Sequence, residues 1–145
     1  LANHNALRRI ERPELSDTAL DVLAQGLARR RVLHGVFFSH LGSVAVADLV
    51  PLFADFGLQA EGVEWSVVSG VVGAEVHISI RNVGYVRSAG EVARAAFGDL
   101  GSAGGHRTMA KAVIPLARLG GEDGRAIQDR VVQRFLRALG GNGKG

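Results

Sequence analysis

The chain predicts a single α/β domain, a mixed sheet of four to five strands with helices packed against it. Three observations carry this expectation. Apolar residues recur at helical spacing in separate segments, with strand-like apolar runs between them. Two β-branched runs, 65–72 and 75–82, meet at Gly73-Ala74 as the arms of a hairpin do. The resulting order, α-β-α-β-β-α-loop-β-α, alternates the two element types, which is the pattern of α/β architecture. A length of 145 residues fits one domain, and a hydrophobic content of 47% is enough for a core. No internal repeat and no second domain are visible.

Residues 1–15 show little periodicity. Arg8, Arg9, Glu11, Arg12 and Pro13 make them a polar leading segment or linker. The domain proper is read as 16–139. Ser16 or Asp17 can cap a helix that runs to about Arg30, with Leu20, Leu23, Ala24 and Leu27 as its apolar stripe. Arg29, Arg30 and Arg31 fall at its end, where positive charge suits the helix dipole, so they read as a solvated helix end. The run from Val32 to Ser39 reads as a buried strand flanked by His34 and His40. No cysteine or acidic cluster stands beside these two, so they are taken as strand-end histidines and not as metal ligands. Asp48 precedes a helix with Leu49, Leu52, Phe53 and Phe56 on one face, Pro51 in its first turn and Gly57 at its end.

In the second hairpin arm, alternation turns Val76, Ile78 and Ile80 to the core. His77, Ser79 and Arg81 then face a polar site or open water. Ser88-Ala89-Gly90-Glu91 is a capping-box pattern, opening a helix with Val92, Ala95, Ala96 and Phe97 that stops at Gly98. A strand from Ala110 to Leu116 follows the glycine-rich loop. The last helix runs from about Asp123 to Leu139, with Ile127, Val131, Val132, Phe135, Leu136 and Leu139 as its stripe. Its arginines 125, 130, 134 and 137 form a solvated face or track phosphates. The glycine-rich end, 140–145, is expected to be disordered.

The stretch that organises this reading is 98–106, with four glycines in nine residues and a terminal histidine. Glycine lets a ligand come close to bare amides, and successive amides can form an anion-binding nest. His106 can add a hydrogen bond or a charge. The alternative is a flexible connection with a surface histidine. Composition narrows the partners. With Lys+Arg at 17 against Asp+Glu at 14, the net charge of +3 favours anions but lacks the dense basic patch of a dedicated nucleic-acid binder. Cys 0 removes disulfides and cysteine-ligated metals, and suits a reducing, cytoplasmic setting. No apolar run reaches the roughly 20 residues of a membrane span, so no membrane partner is expected.

Taken together, His77-Ile78-Ser79-Ile80-Arg81, Gly90-Glu91-Val92-Ala93, Phe97-Gly98 and Gly104-Gly105-His106 resemble the C-terminal, substrate-binding domain of DHH-family phosphoesterases. These include RecJ-like, oligoribonuclease and exopolyphosphatase-related members. The segments 7–13 and 61–65 extend the resemblance over most of 7–119. Ser102-Ala103 stands where many relatives have further glycines. The resemblance implies a two-domain parent hydrolase, whose N-terminal domain carries Asp-His-His and two metals, usually manganese. Asp-His-His occurs nowhere in this chain. The chain is therefore expected to lack that catalytic domain, to hold no cofactor and to be inactive alone. Its partners would be its own metal-binding domain and a phosphate-containing substrate: a nucleotide, a short oligonucleotide or polyphosphate. Carried onto this sequence, the substrate-binding positions are Arg81, Gly104, Gly105 and His106, with Ser79 on the same strand face. A nucleic-acid-binding module, like the related C-terminal domain of alanyl-tRNA synthetases, is the competing expectation. A structural or dimerising domain is the third, and self-association stays open.

Overall fold

A computed structural model describes residues 14–121 and 123–144, with the side chains of 141–144 left aside. The elements are α1 (Asp17–Ala28), β1 (Arg31–Leu33), β2 (Val36–Ser43), α2 (Leu49–Gly57), β3 (Trp65–Val72), β4 (Glu75–Asn82), α3 (Ala89–Phe97), β5 (Ser102–Gly105), β6 (Met109–Pro115), a 3-10 turn (Leu116–Leu119) and α4 (Gly124–Lys144). The class is the expected mixed α/β, but the sheet has six strands, in the order β1-β2-β3-β4-β6-β5. β2 and β3 are parallel, and the other neighbours are antiparallel.

The two extra strands lay inside stretches read as something else. The run 32–39 breaks at His34-Gly35, whose φ values of 53° and 77° suit a two-residue hairpin of type I′. A histidine in a position that Asn or Asp usually fills hid that turn. The other extra strand, β5, is the second half of the glycine-rich stretch, which pairs along β6 and is not a flexible loop. At the expected hairpin, Gly73 alone takes the positive φ, 63°, and Val72 pairs with Glu75.

Both sheet faces carry a core. One packs Phe38, Val67, Ile78, Ile80 and Ile114 against α3 and α4. Val76, Ile78 and Ile80 are buried as alternation requires. The other packs Phe37, Leu41 and Val68 against α2 and α1. That second layer covers the β2–β3 half of its face. α2 also reaches over β4, and among the described residues no helix lies over β6 and β5 on this face.

Helix positions mostly agree with the reading, but two apolar stripes are rotated. In α1 the residues against the core are Ala19, Val22, Leu23 and the buried Gly26, while Leu20 and Leu27 are exposed. The cause is Gly26, whose carbonyl accepts from Ser39 Oγ at 2.7 Å and whose bare Cα lets Leu41 approach. In α2 the buried residues are Leu49, Val50, Phe53, Ala54 and Gly57, and Phe56 is exposed, stacked on Phe53. Gly57 packs there on the Phe37 ring, where a Cβ would clash. Ser16 caps α1 by accepting from Ala19 N–H at 3.1 Å. Ser88 caps α3 through a long 3.5 Å bond from Glu91 N–H. α4 buries Ile127, Val131, Val132 and Phe135 as read, and extends to Lys144 where a disordered 140–145 was expected. Adding turns to an existing helix needs no new nucleus, so the glycines there are tolerated as an extension. The leading segment 1–13, and the part of the resemblance that falls on it, lie outside the described residues.

Candidate functional site

The sheet face beside α2, along β4 and β6, is the floor of a cleft of about 300 Å³. Strand alternation aims His77, Ser79 and Arg81 of β4 into it. The ladder extends this polar row sideways. Ser79 pairs with Lys111 on β6, and Lys111 pairs with Gly104 on β5, so these three stand abreast on one face. Gly104, Gly105 and His106 close one side, and Asp48, Val50 and Pro51 at the start of α2 close the other. All five residues singled out from the sequence, Ser79, Arg81, Gly104, Gly105 and His106, therefore border one cavity.

His106 sits in the turn between β5 and β6 with both backbone groups fixed. Its N–H donates to Met109 O at 2.7 Å, and its C=O accepts from Gly90 N–H at 2.8 Å. The side chain is left exposed at the mouth of the cleft. Two glycines make this junction possible. A Cβ on Gly90 would meet Gly105 O at 2.6 Å, and one on Gly105 would run into the backbone of Met109 and Ala110. The same contacts revise the expected nest of free amides. Ala89 N–H and Gly90 N–H, at the start of α3, donate to Arg107 O and His106 O, both at 2.8 Å. The helix end holds the turn, and β5 is committed to β6 along one edge. His77, Ser79, Arg81, His106 and Lys111 bring side-chain donors to the cleft.

Arg81 is the most constrained of them, with its side chain 11% exposed. Its Nε donates to Asp55 Oδ1 at 2.7 Å and its Nη1 to Ile80 O at 3.1 Å. A guanidinium has five N–H donors, so capacity for a ligand remains. His77 Nε2 lies 3.5 Å from Glu75 Oε1. Lys111 is exposed at the cleft wall. Asp55 and Lys111 were not singled out from the sequence. Asp48 and Asp55 are seven residues apart, two turns along one face of α2, and that spacing was the available signal. Among the described residues, no three His, Asp or Glu side chains are grouped to hold a metal. Also among them, no helix is long and apolar enough to cross a membrane.

The histidines on β1 and β2 differ from their reading. His34 is in the hairpin turn, and His40 is buried within β2, not at its end. The run 29–31 is not merely solvated. Arg30 Nη1 donates to Leu27 O at 2.8 Å, and Arg31 pairs with Asp129 at 3.0 Å. On α4, Arg134 forms two bonds to the Asp99 carboxylate, at 2.8 and 3.0 Å.

No family model matches this chain. An uncharacterized protein of Methanocaldococcus jannaschii is 36% identical over 133 residues, which is 91% of this chain and 27% of that protein. The chain thus spans about a quarter of this relative. Among solved structures, it is similar to an exopolyphosphatase-related protein from Bacteroides fragilis, with TM-score 0.67 and 18% identity over 87% of this chain and 35% of that one. It is also similar to the C-Ala domain of Aquifex aeolicus alanyl-tRNA synthetase, with TM-score 0.54 and 15% identity over 76% of this chain and 96% of that one. RecJ from Thermus thermophilus, in complex with magnesium, aligns with TM-score 0.53 and 19% identity over 82% of this chain and 17% of that one. At these identities the shared property is the fold.

Proposed function

We propose that this chain is the substrate-recognition domain of a DHH-family phosphoesterase, and that its cleft holds a phosphate of a nucleotide, a short oligonucleotide or polyphosphate. The carrying observation is the convergence of Arg81, Lys111 and His106 on one bounded cavity beside Gly104 and Gly105. Charge-assisted hydrogen bonds from such groups hold phosphate oxygens. Cleavage of the phosphodiester or phosphoanhydride bond belongs to a separate metal-binding domain, with manganese as the expected metal. Arg81 and Lys111 bind and orient the phosphate, and His106, on its pinned turn, closes the mouth. Ser79 contributes a hydroxyl on the floor. The fold shared with the exopolyphosphatase-related protein and RecJ supports this reading.

A second reading, a nucleic-acid-binding module, is favoured by the C-Ala likeness, because that domain is matched over 96% of its length. The two differ in ligand length and salt response. The test is a titration of this chain with adenosine monophosphate, a dinucleotide, tripolyphosphate and a single-stranded 20-mer. Arg81→Gln and His106→Ala are each expected to weaken binding of the short ligands about tenfold or more, from the loss of a charge-assisted bond. Unchanged affinity in both variants overturns the proposal. Binding restricted to the 20-mer and falling steeply with salt establishes the second reading instead.

A further inference from the structure

On the opposite face of the sheet from the cleft, the edge of β2 outruns its partner. β1 pairs only as far as Phe38, and α4 takes over from there. Gln128 Oε1 accepts from His40 N–H and its Nε2 donates to Arg29 O, both at 3.0 Å. This clamp seats the first turn of α4 over His40. His40 as a whole is 1% exposed. Its Nδ1 shares a 2.7 Å hydrogen bond with Ser69 Oγ, and its Nε2 is buried with no protein partner. A buried polar atom without a partner calls for a ligand or an ordered water.

Gly124, the first residue of α4, shows where that ligand would sit. A Cβ built there would lie 3.8 Å from Arg29 Nη1 and 3.9 Å from His40 Nε2. The guanidinium and the unpartnered ring nitrogen thus flank the same bare Cα. Two hollows of about 400 and 550 Å³ share Arg29 and Gly124 as a common wall. The first amides of a helix have no intrahelical acceptor and carry partial positive charge, and α4 is 21 residues long. Two of the three carboxylates lining these hollows, Asp123 and Asp129, have other work; the third, Asp21, lines the smaller hollow. Asp129 pairs with Arg31 at 3.0 Å, and Asp123 Oδ1 accepts from Arg125 N–H at 3.0 Å. A cation, a helix N-terminus and a buried ring nitrogen suit an anion and not a metal.

We propose that Arg29, His40 and the first turn of α4 around Gly124 form a second site for a small oxyanion, separate from the cleft. Arg29 supplies the charge. His40 donates from Nε2 while its Nδ1 accepts the Ser69 hydroxyl proton. Gly124 leaves the space.

The test is phosphate titration of the full chain followed by NMR, with chloride at matched ionic strength as the comparison. The Gly124 amide and the His40 ring are expected to shift saturably with phosphate and not with chloride, with the His40 proton on Nε2. Gly124→Ala is expected to weaken this binding about tenfold or more, the scale of one lost charge-assisted bond. It keeps the fold, because the added methyl meets His40 Cδ2 at an ordinary 3.5 Å and alanine favours a helix over glycine. Arg29→Gln, at an exposed position, is expected to produce a comparable loss. Equal shifts with chloride, shifts confined to cleft residues, a proton that stays on Nδ1, or undiminished binding in both variants overturns the proposal.

Discussion

Acid should unfold this protein through His40. The buried imidazole has its pKa pushed down from the ordinary 6.5 to about 4, first by burial and then by the Arg29 charge. A base whose folded pKa is depressed binds its proton more readily when unfolded. Stability is therefore fully present above pH 6.5 and is lost as pH falls from there toward 4. At pH 5 the unfolded imidazole is almost fully protonated and the folded one almost fully neutral. With 1.36 kcal/mol per pKa unit, the loss between pH 7 and pH 5 is about 2 kcal/mol. The assay is urea unfolding at both pH values, in phosphate-free buffer, for the native chain and for His40→Gln. Other groups titrate equally in the two proteins, so the difference between the two losses isolates His40. The variant is expected to be less stable at pH 7 but to lose about 2 kcal/mol less on acidification. Equal losses refute the reasoning. Should His40→Gln not fold, titration of the native His40 ring by NMR decides the matter, and a midpoint at or above pH 6 refutes it.

Two further substitutions probe the cleft. Asp55→Asn removes the carboxylate on Arg81. Because the Asp55 side chain is 65% exposed, folding stability should fall by less than about 1 kcal/mol. Affinity for a phosphate ligand should rise about threefold as repulsion is relieved; a fall, read by ligand titration, would make Asp55 an orienter of Arg81 and not its competitor. Gly105→Ala should cost about 2–3 kcal/mol in urea unfolding, because its methyl meets backbone that cannot move aside. Gly104→Ala should cost less than about 1 kcal/mol, since its methyl meets only Arg94 Nη1 at 3.4 Å, the far end of a flexible side chain. Equal stabilities would refute the steric reading of the β5–β6 turn.

The shared face of Ser79 and Arg81 was more legible in the sequence than the number of strands was. Period-two alternation in β4 placed Ser79 and Arg81 on the face opposite Ile78 and Ile80, because slipping the register would have buried a charge. The glycines of 98–106 marked a close approach but not its nature. Glycine serves a bare nest and an edge strand under a helix equally well, and only the α3 carbonyl and amide contacts distinguish them. Stripe positions in α1 and α2 failed for a related reason. Both helices are apolar over more than one face, so periodicity left the rotation open, and close packing at Gly26 and Gly57 chose it. Lys111 and the Arg29–His40 pair needed tertiary placement, since nothing local distinguishes them from ordinary surface or strand residues; Asp55 offered only its spacing from Asp48.

The 106–108 turn is pinned, so an exposed histidine is carried on a fixed backbone. Asn82 is buried at the end of β4, and its amide donates to Arg87 O at 2.9 Å and Arg107 O at 3.0 Å while its Oδ1 accepts from Gly84 N–H at 2.9 Å. Arg107 Nε returns a bond to Gly84 O at 3.0 Å. The first amides of α3 fix the same turn from the other side. Asn82 directly follows Arg81, so one strand end sets both the arginine and the turn that carries His106. Their spacing is then a property of the sheet and α3, not of a mobile loop, which is the preorganisation that the proposed phosphate site would require. Such a site would lose its precision through Asn82, a residue that touches no ligand.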